Sequence, residues 1–269
     1  MAILEGAHHI YTVMPGDTIF SIASRFGSTV QLVEQTNALY PPITDPELIY
    51  PGQVLVVSET GVEQRNEVSY IIHPGDSLYT IGLRFSATPD LLVGMNPLIT
   101  NANVIYAGTP LIVPAVIYNV EEGESLYSIS RSLGVPMSEI IRANRNRPGF
   151  SPDLIYVGFR LIVPLPSSDN IVVLRPLPGR RIGPGQALEG FARAFEATIL
   201  YQVRDDRGIV VTRERALTTS AGAPQFGTFS GAILFDREPT TRSGEVWVYA
   251  RSARDGRIID LVEVRIRFF

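Results

Sequence analysis

The sequence predicts a multidomain chain with three α+β modules followed by an all-β domain, and three observations support this. Segments that begin at Tyr11, Tyr70 and Tyr118 repeat one pattern of residues. Each segment passes from short alternating runs to helical spacing and back. Beyond residue 170 the helical spacing disappears and only alternating apolar runs remain. A length of 269 residues with 45% hydrophobic content suits several buried cores.

The repeats share residues at fixed spacing. In each, a glycine lies five residues after the tyrosine, and an acid, a hydroxyl residue and an aliphatic residue follow that glycine. An asparagine lies 21 residues after the glycine, and Ile-Tyr-x-Gly closes the repeat before an apolar run. The three openings are YTVMPGDTIFSIASRFG, YIIHPGDSLYTIGLRFS and YNVEEGESLYSISRSLG.

The elements of a repeat follow from its pattern. In the first repeat, residues Tyr11 to Met14 alternate and end at a Pro-Gly turn, which predicts a strand. Apolar residues at helical spacing then run from Ile19 to Phe26, and Gly27 ends the helix. Asp17 or Thr18 is expected to cap that helix. Further predicted elements are helices at 30–36 and 136–143, a helix opening at Thr88-Pro89, and closing strands at 54–57, 111–113 and 161–163. Each repeat is therefore a predicted βααβ module.

The remaining residues predict a β-sandwich. About seven short alternating runs lie in roughly 100 residues, with turn signals such as Asp206-Arg207-Gly208 and Asp255-Gly256 between them. The predicted domains are residues 9–58, 69–114 and 117–164 for the modules and 170–269 for the sandwich.

Composition excludes several functions. The chain has no cysteine, no lysine and only three histidines, so cysteine nucleophiles, Walker-type phosphate loops and histidine-rich zinc sites are excluded or disfavoured. The net charge of −4 argues against nucleic-acid binding through bulk positive charge. A glycosidase needs two carboxylates, for which candidates exist, but turn and strand positions favour solvated side chains. These candidates are Glu189, Glu196, Asp205 and Asp206. We expect no enzyme, no cofactor and no metal site.

The N-terminal residues show no signal-peptide pattern, and no apolar run approaches the roughly 20 residues of a membrane helix. The sequence therefore predicts neither a leader in this chain nor a membrane span.

Residues 11–164 resemble the lysin motif (LysM) family through the Tyr-x4-Gly-Asp-Thr/Ser-Leu opening, the asparagine and the Ile-Tyr-Pro-Gly-Gln ending. The resemblance implies non-catalytic binding of glycans that carry N-acetylglucosamine, with peptidoglycan expected before chitin-like oligosaccharides. Residues 171–179, 190–197 and the Asp255-Gly256 hairpin resemble the immunoglobulin-like domain of bacterial spore germination proteins. These resemblances imply localisation to the bacterial cell wall or spore envelope. Spore or envelope proteins are a further candidate partner, through the last domain. The alternative is a structural spore-coat protein whose modules mainly mediate protein packing.

The resemblance places a shallow groove between the loop after the first strand and the loop before the last strand. For the glycines, acids and asparagines, structural roles stay open beside ligand contact: tight turns, helix N-termini and helix ends, respectively. Apolar walls suit sugar C–H faces, so the leucines and isoleucines are the stronger groove candidates, with core filling the alternative for the isoleucines. The predicted glycan-binding residues are Gly16, Asp17, Thr18, Asn37, Leu39, Ile49, Gly75, Asp76, Ser77, Asn96, Pro97, Leu98, Ile105, Gly123, Glu124, Ser125, Asn144 and Ile155.

Two further expectations concern the arrangement of the repeats. The polar residues 58–69 predict that repeat one is freer, unless this linker is tied down. Only four residues intervene between repeats two and three, which are expected to pack in a fixed relation. Repeat three carries Asn144-Arg145-Asn146-Arg147 where repeat two carries Asn96-Pro97-Leu98-Ile99. Because charged side chains replace apolar ones there, repeats one and two are expected to bind glycan more tightly than repeat three.

Overall fold

The computed structural model describes residues 2–45, 48–61 and 66–269. A two-residue strand, β1 (Ile3–Leu4), precedes the repeats, and in each repeat the order is strand, helix, helix, strand. Repeat one holds β2 (Gly6–Thr12), α1 (Ile19–Arg25), α2 (Val30–Asn37) and β3 (Val54–Ser58). Repeat two holds β4 (Asn66–Ile71), α3 (Leu78–Phe85), α4 (Pro89–Met95) and β5 (Pro110–Ile112). Repeat three holds β6 (Ala115–Asn119), α5 (Leu126–Leu133), α6 (Met137–Ala143) and β7 (Arg160–Pro164).

The C-terminal residues form two sheets around one core. Their strands are β8 (Ile171–Arg175), β9 (Ala187–Ala192), β10 (Thr198–Asp205), β11 (Val210–Thr218), β12 (Gly227–Ala232), β13 (Ser243–Arg251) and β14 (Ile258–Arg267). One sheet has the order β12-β9-β8 and the other β11-β10-β13-β14, with all pairs antiparallel. Both sheets contribute to a single apolar cluster, for example Val173 and Leu188 from one and Tyr201 and Val264 from the other.

The local signals of the helices are confirmed. Thr18 is the N-cap of α1 and forms a capping box with Ser21. Gly27 follows the C-cap with φ +60°, the left-handed conformation that favours glycine. In repeat two, Thr88 caps α4 and Pro89 occupies the first helical turn. The expectation that Asp17 could cap α1 is wrong, because its carboxylate has other partners.

Repeats one and two share one sheet. The sheet has the order β3-β2-β4-β5, and β2 pairs with β4 in parallel, from Gly6 opposite Asn66 to Ile10 opposite Tyr70. This pairing extends the first strand of repeat one toward its N-terminus, from the predicted start at Tyr11 back to Gly6. The prediction that repeat one is freer is wrong, because backbone hydrogen bonds join it to repeat two. In the connection between β3 and β4, residues 62–65 lie outside the described residues.

The first residues of the chain are also held in strands. β1 pairs antiparallel with β6 of repeat three, with Ile3 opposite Tyr118. His8 and His9 lie in β2. His8 is buried, its Nδ1 lies 2.9 Å from the Ser58 hydroxyl oxygen, and burial together with the nearby Arg160 lowers its pKa to about 4.

Repeat three is attached to repeat one through the segment that departs from the repeat pattern. The Arg147 guanidinium is buried, and it donates to the Thr36 carbonyl (3.2 Å) and the Asn37 amide oxygen (3.0 Å) of repeat one. It also donates to Asn144 Oδ1 and the Arg160 carbonyl of its own repeat. Burial, together with the nearby positive charges of Arg84 and Arg160, lowers the pKa of Arg147 to about 9. The charged residue therefore serves packing between repeats.

The chain divides into two compact units. One contains most of the repeats, and the other contains residues 86–102, 130–135 and 165–269, so α4 clusters with the sandwich. Within this second unit, Arg193 forms an ion pair with Asp90 at 2.9 Å, and the Phe226 ring lies so close to Gly94 that a Cβ would overlap it. The Ser167 hydroxyl, between repeat three and the first strand of the sandwich, donates to the Ser86 carbonyl at 3.0 Å. Ser167 is therefore tied to the residue that follows α3.

Candidate functional site

Each repeat brings two turns together at one end of its strands. The first turn follows the opening strand, and the closing turn precedes the last strand. The first turns are residues 14–17, 73–76 and 121–124, and the closing turns are residues 50–53, 106–109 and 156–159. A backbone hydrogen bond joins them in every repeat: Gly52 to Val13 (2.9 Å), Gly108 to Ile72 (2.7 Å) and Gly158 to Val120 (2.8 Å). We call each set the paired turns, and they are the candidate ligand site.

The three turn glycines are required by backbone conformation. Gly16, Gly75 and Gly123 have φ values of +88°, +91° and +78°. A Cβ added at any of them would meet nothing within 4 Å, so no contact with the rest of the chain excludes a side chain. The left-handed backbone of the turn thus explains these residues by itself.

The acids close the first turns. Asp17 Oδ2 accepts hydrogen bonds from the Tyr11 hydroxyl (2.6 Å) and the Met14 backbone N–H (2.8 Å). Asp76 and Glu124 make the corresponding pairs of bonds, with Tyr70 and His73 and with Tyr118 and Glu121. Burial and the carboxylate acceptor raise the pKa of Tyr11. The shared tyrosine and acid therefore form a clip between strand and turn.

The hydroxyl residues after the acids cap the first helices. Thr18, Ser77 and Ser125 each accept a bond from the backbone N–H three residues later, at 3.0, 3.1 and 3.2 Å. Their structural role is thus established by geometry, and ligand contact at these positions stays a prediction.

The asparagines join the second helix to the closing strand. Asn37 is fully buried; its amide nitrogen donates to the carbonyls of Val33 (2.8 Å) and Val56 (2.7 Å), and its oxygen accepts from the Val56 N–H (2.8 Å). Asn144 makes the same three bonds with Ile140 and Ile162. Asn96 is also buried and donates to the Leu92 carbonyl at 2.7 Å. These amides support the site from inside.

Replacing Asn37 by alanine is expected to lower the free energy of unfolding by about 2 kcal/mol, because three buried backbone groups lose partners. Urea unfolding followed by circular dichroism measures this loss. Gln31→Ala, at an exposed position of the same helix, serves as the matched control and should unfold like wild type. Equal stability of the two variants would contradict the bridging role of Asn37.

The predicted apolar walls differ in exposure. Leu39 is 1% exposed and belongs to the core of repeat one, so it does not line a groove. Its place after the left-handed Ala38 turns it inward. Leu98 is 95% exposed and Pro97 is exposed as well. The isoleucines of the closing motif, Ile49, Ile105 and Ile155, are half-buried.

Exposed aromatic residues beside the paired turns were not predicted from the sequence. Phe20, Tyr79 and Tyr127 lie four residues after the turn glycines and are 73%, 63% and 65% exposed. In the closing turns, Tyr50 and Tyr106 are 58% and 72% exposed. The sequence did contain a pattern that could have predicted them, because an aromatic residue follows the first apolar residue of the first helix in all three repeats. Such rings offer flat surfaces for the C–H faces of a sugar.

The candidate glycosidase carboxylates have structural partners. Burial opposes ionisation of Asp205, but bonds from Thr240, Ile209 and Arg207 outweigh it and lower its pKa. Asp206 pairs with Arg265 at 2.6 Å, and Glu189 pairs with Arg175 at 3.3 Å. Glu196 has a left-handed backbone in the connection before β10. Within residues 2–45, 48–61 and 66–269, no group of metal-ligating side chains comes together. None of the helices in the described residues has the length and apolarity that a membrane crossing requires.

Comparison with known protein families identifies the domain type of the repeats. The model of the LysM domain matches residues 11–58, 70–114 and 118–164, about half of the chain. The chain belongs to the LysM family. C-terminal to its three LysM repeats, the chain carries an immunoglobulin-like domain of bacterial spore germination, matched at residues 170–257.

Relatives of this LysM chain include proteins named as a glycosylase and as an amidase. A putative sporulation-specific glycosylase YdhD of Bacillus subtilis is 34% identical over 73% of this chain and 47% of its own length. The N-acetylmuramoyl-L-alanine amidase sle1 of Staphylococcus epidermidis is 27% identical over 57% of this chain and 50% of its own. The chain thus spans about half the length of these relatives. The spore cortex-lytic enzyme SleL of Bacillus cereus is a solved structure with 33% identity, 40% coverage of this chain, 23% of its own and a TM-score of 0.29.

Proposed function

We propose that this chain binds N-acetylglucosamine-containing glycan without catalysis, with peptidoglycan as the preferred ligand, and thereby localises to the bacterial cell wall or spore cortex. Membership of the LysM family supports glycan binding, and relatives named for sporulation and for wall amidase activity support the location. The observation that carries the proposal is the exposed aromatic residue beside the paired turns of each repeat. The exposed aromatic rings offer flat surfaces on which the C–H faces of a sugar chain can stack.

Repeats one and two are proposed to carry most of the affinity. In repeat three, the segment after the second helix is occupied by contacts within the protein. The Asn146 carbonyl accepts the Val54 N–H at 2.8 Å, the Arg145 carbonyl accepts from Arg84 at 2.9 Å, and Arg147 is buried. These contacts leave repeat three fewer groups for a ligand.

A pull-down on purified peptidoglycan, with chitin as competitor, tests the proposal. We expect the wild-type chain to bind and the double variant Phe20→Ala/Tyr79→Ala to lose affinity by roughly 10-fold or more, because two stacking surfaces are removed. Tyr127→Ala, in repeat three, should lose less than either single variant of repeats one and two. Phe195→Ala, an equally exposed aromatic in the sandwich, is the matched control and should bind like wild type.

The second candidate function is structural assembly in a spore envelope. The extensive contacts among the repeats favour it, since β1, Arg147 and the shared sheet make one compact unit from tandem modules. Proteins of the spore or envelope would then be the partners of the immunoglobulin-like domain. If the chain binds no glycan but forms large assemblies in analytical ultracentrifugation, this second function replaces the first.

A further inference from the structure

The parallel pairing of repeats one and two sets the first turns of both at the same edge of one sheet. Ile10 lies opposite Tyr70 near the C-terminal ends of both strands, so the turns at 14–17 and 73–76 leave the sheet at the same edge. Neighbouring strands lie about 4.8 Å apart, so four strands bring the closing turns of both repeats within about 15 Å. Tandem modules joined by a free linker would have no such alignment.

A cleft of about 580 Å³ lies at this edge, between the two repeats. Repeat one contributes Tyr11, Arg25 and Phe26, and repeat two contributes His73 and Pro74 from its first turn and Gly108 from its closing turn. The cleft therefore borders the paired turns of repeat two and reaches the clip of repeat one.

The lining suits a neutral sugar ring. The Phe26 ring is half-buried and lies 5.3 Å from the Tyr11 ring and 5.0 Å from the His9 ring, which gives an aromatic floor. Arg25 at the rim is bonded to the Tyr11 hydroxyl at 2.8 Å and pairs with Asp17, and Glu59 lines the same cleft. Because each cation has an acid nearby, the cleft has no surplus charge for a polyanion.

We propose that this cleft is an additional glycan subsite, so that one linear N-acetylglucosamine chain runs across the paired turns of repeats one and two. This inference rests on the proposed function and specifies it: the two repeats act as one extended site. The chain length that the ligand needs is then set by the shared sheet, since a short oligosaccharide reaches one set of turns and a longer one reaches both and fills the cleft.

Isothermal titration of the full chain with a trisaccharide and a hexasaccharide of N-acetylglucosamine tests the inference. We expect the hexasaccharide to bind on the order of 10²-fold more tightly. Phe26→Leu keeps an apolar side chain in the core but removes the aromatic face. This variant should lose about 10-fold in hexasaccharide affinity and nothing for the trisaccharide. Phe26→Tyr retains the ring and should bind like wild type.

A second variant covers the case in which Phe26→Leu unfolds. Ala107→Trp, at an exposed position of the cleft wall, obstructs the cleft and should also reduce the preference for the longer ligand. If trisaccharide binds but neither variant changes the length preference, the subsite is refuted while the proposed function stands. If neither oligosaccharide nor peptidoglycan binds wild type, both fail.

Discussion

Replacing Arg147 by alanine is expected to lower the free energy of unfolding by about 3 kcal/mol or more. The substitution removes the donor that serves the Thr36 carbonyl, the Asn37 amide oxygen and two acceptors of repeat three in a buried place. It also empties the volume against one face of the Phe159 ring, whose centroid lies 4.7 Å from the guanidinium carbon.

Urea unfolding of the Arg147→Ala chain measures this effect. Arg145→Ala is the matched control, because that side chain is exposed and the substitution keeps its carbonyl, which accepts from Arg84 of repeat two. The control should unfold within a few tenths of a kcal/mol of wild type. If the free energy of unfolding of Arg147→Ala equals that of wild type, other contacts hold the junction between repeats one and three.

Stability of the repeat unit is expected to fall as the pH decreases from about 6.5 to 4. The folded pKa of His8 is about 4 because burial and Arg160 disfavour its charged form, and its ordinary value is 6.5. Between these values the unfolded chain binds a proton that the folded chain does not, so unfolding is favoured at lower pH. A shift of this size corresponds to about 3 kcal/mol, with no further loss below pH 4.

Thermal unfolding at pH 7.5 and at pH 5 tests this dependence. His8→Asn retains a polar partner for Ser58 but does not titrate, so its stability should change less between the two pH values. His73→Asn, in the first turn of repeat two, is the control and should keep the wild-type dependence. Burial also lowers the pKa of the neighbouring His9, so part of the dependence should persist in His8→Asn. A wild-type curve that is flat between pH 7.5 and pH 5 would contradict the prediction.

Much of each repeat could be predicted because its signals lie close together in the chain. The helix caps at Thr18 and Thr88, the stop at Gly27 and the turn glycines act within a few residues, and the structure confirms them. The three LysM repeats and the immunoglobulin-like domain could likewise be predicted, because their motifs lie within single domains.

The roles of several site residues depended on contacts that spacing does not reveal. The sequence shows an asparagine 21 residues after the glycine, but only the fold shows its amide between helix and closing strand. Leu39 and Leu98 occupy matching positions, yet one is 1% and the other 95% exposed, because the left-handed Ala38 turns Leu39 into the core of its own repeat. The aromatic residues were visible in sequence, but their exposure was not.

The sequence by itself determined the three repeats, their capped helices and turns, and the β-rich tail, because these follow from local periodicity and turn chemistry. Only the tertiary structure decided how the repeats join. Strand β2 pairs with β4 through backbone N–H and C=O groups, which every strand has. The pattern of side chains therefore does not predict which strands pair. The sequence likewise predicted only that Arg147 replaces an apolar groove residue. Its burial depends on the acceptor oxygens of Thr36 and Asn37 in repeat one, which only the fold brings to its guanidinium.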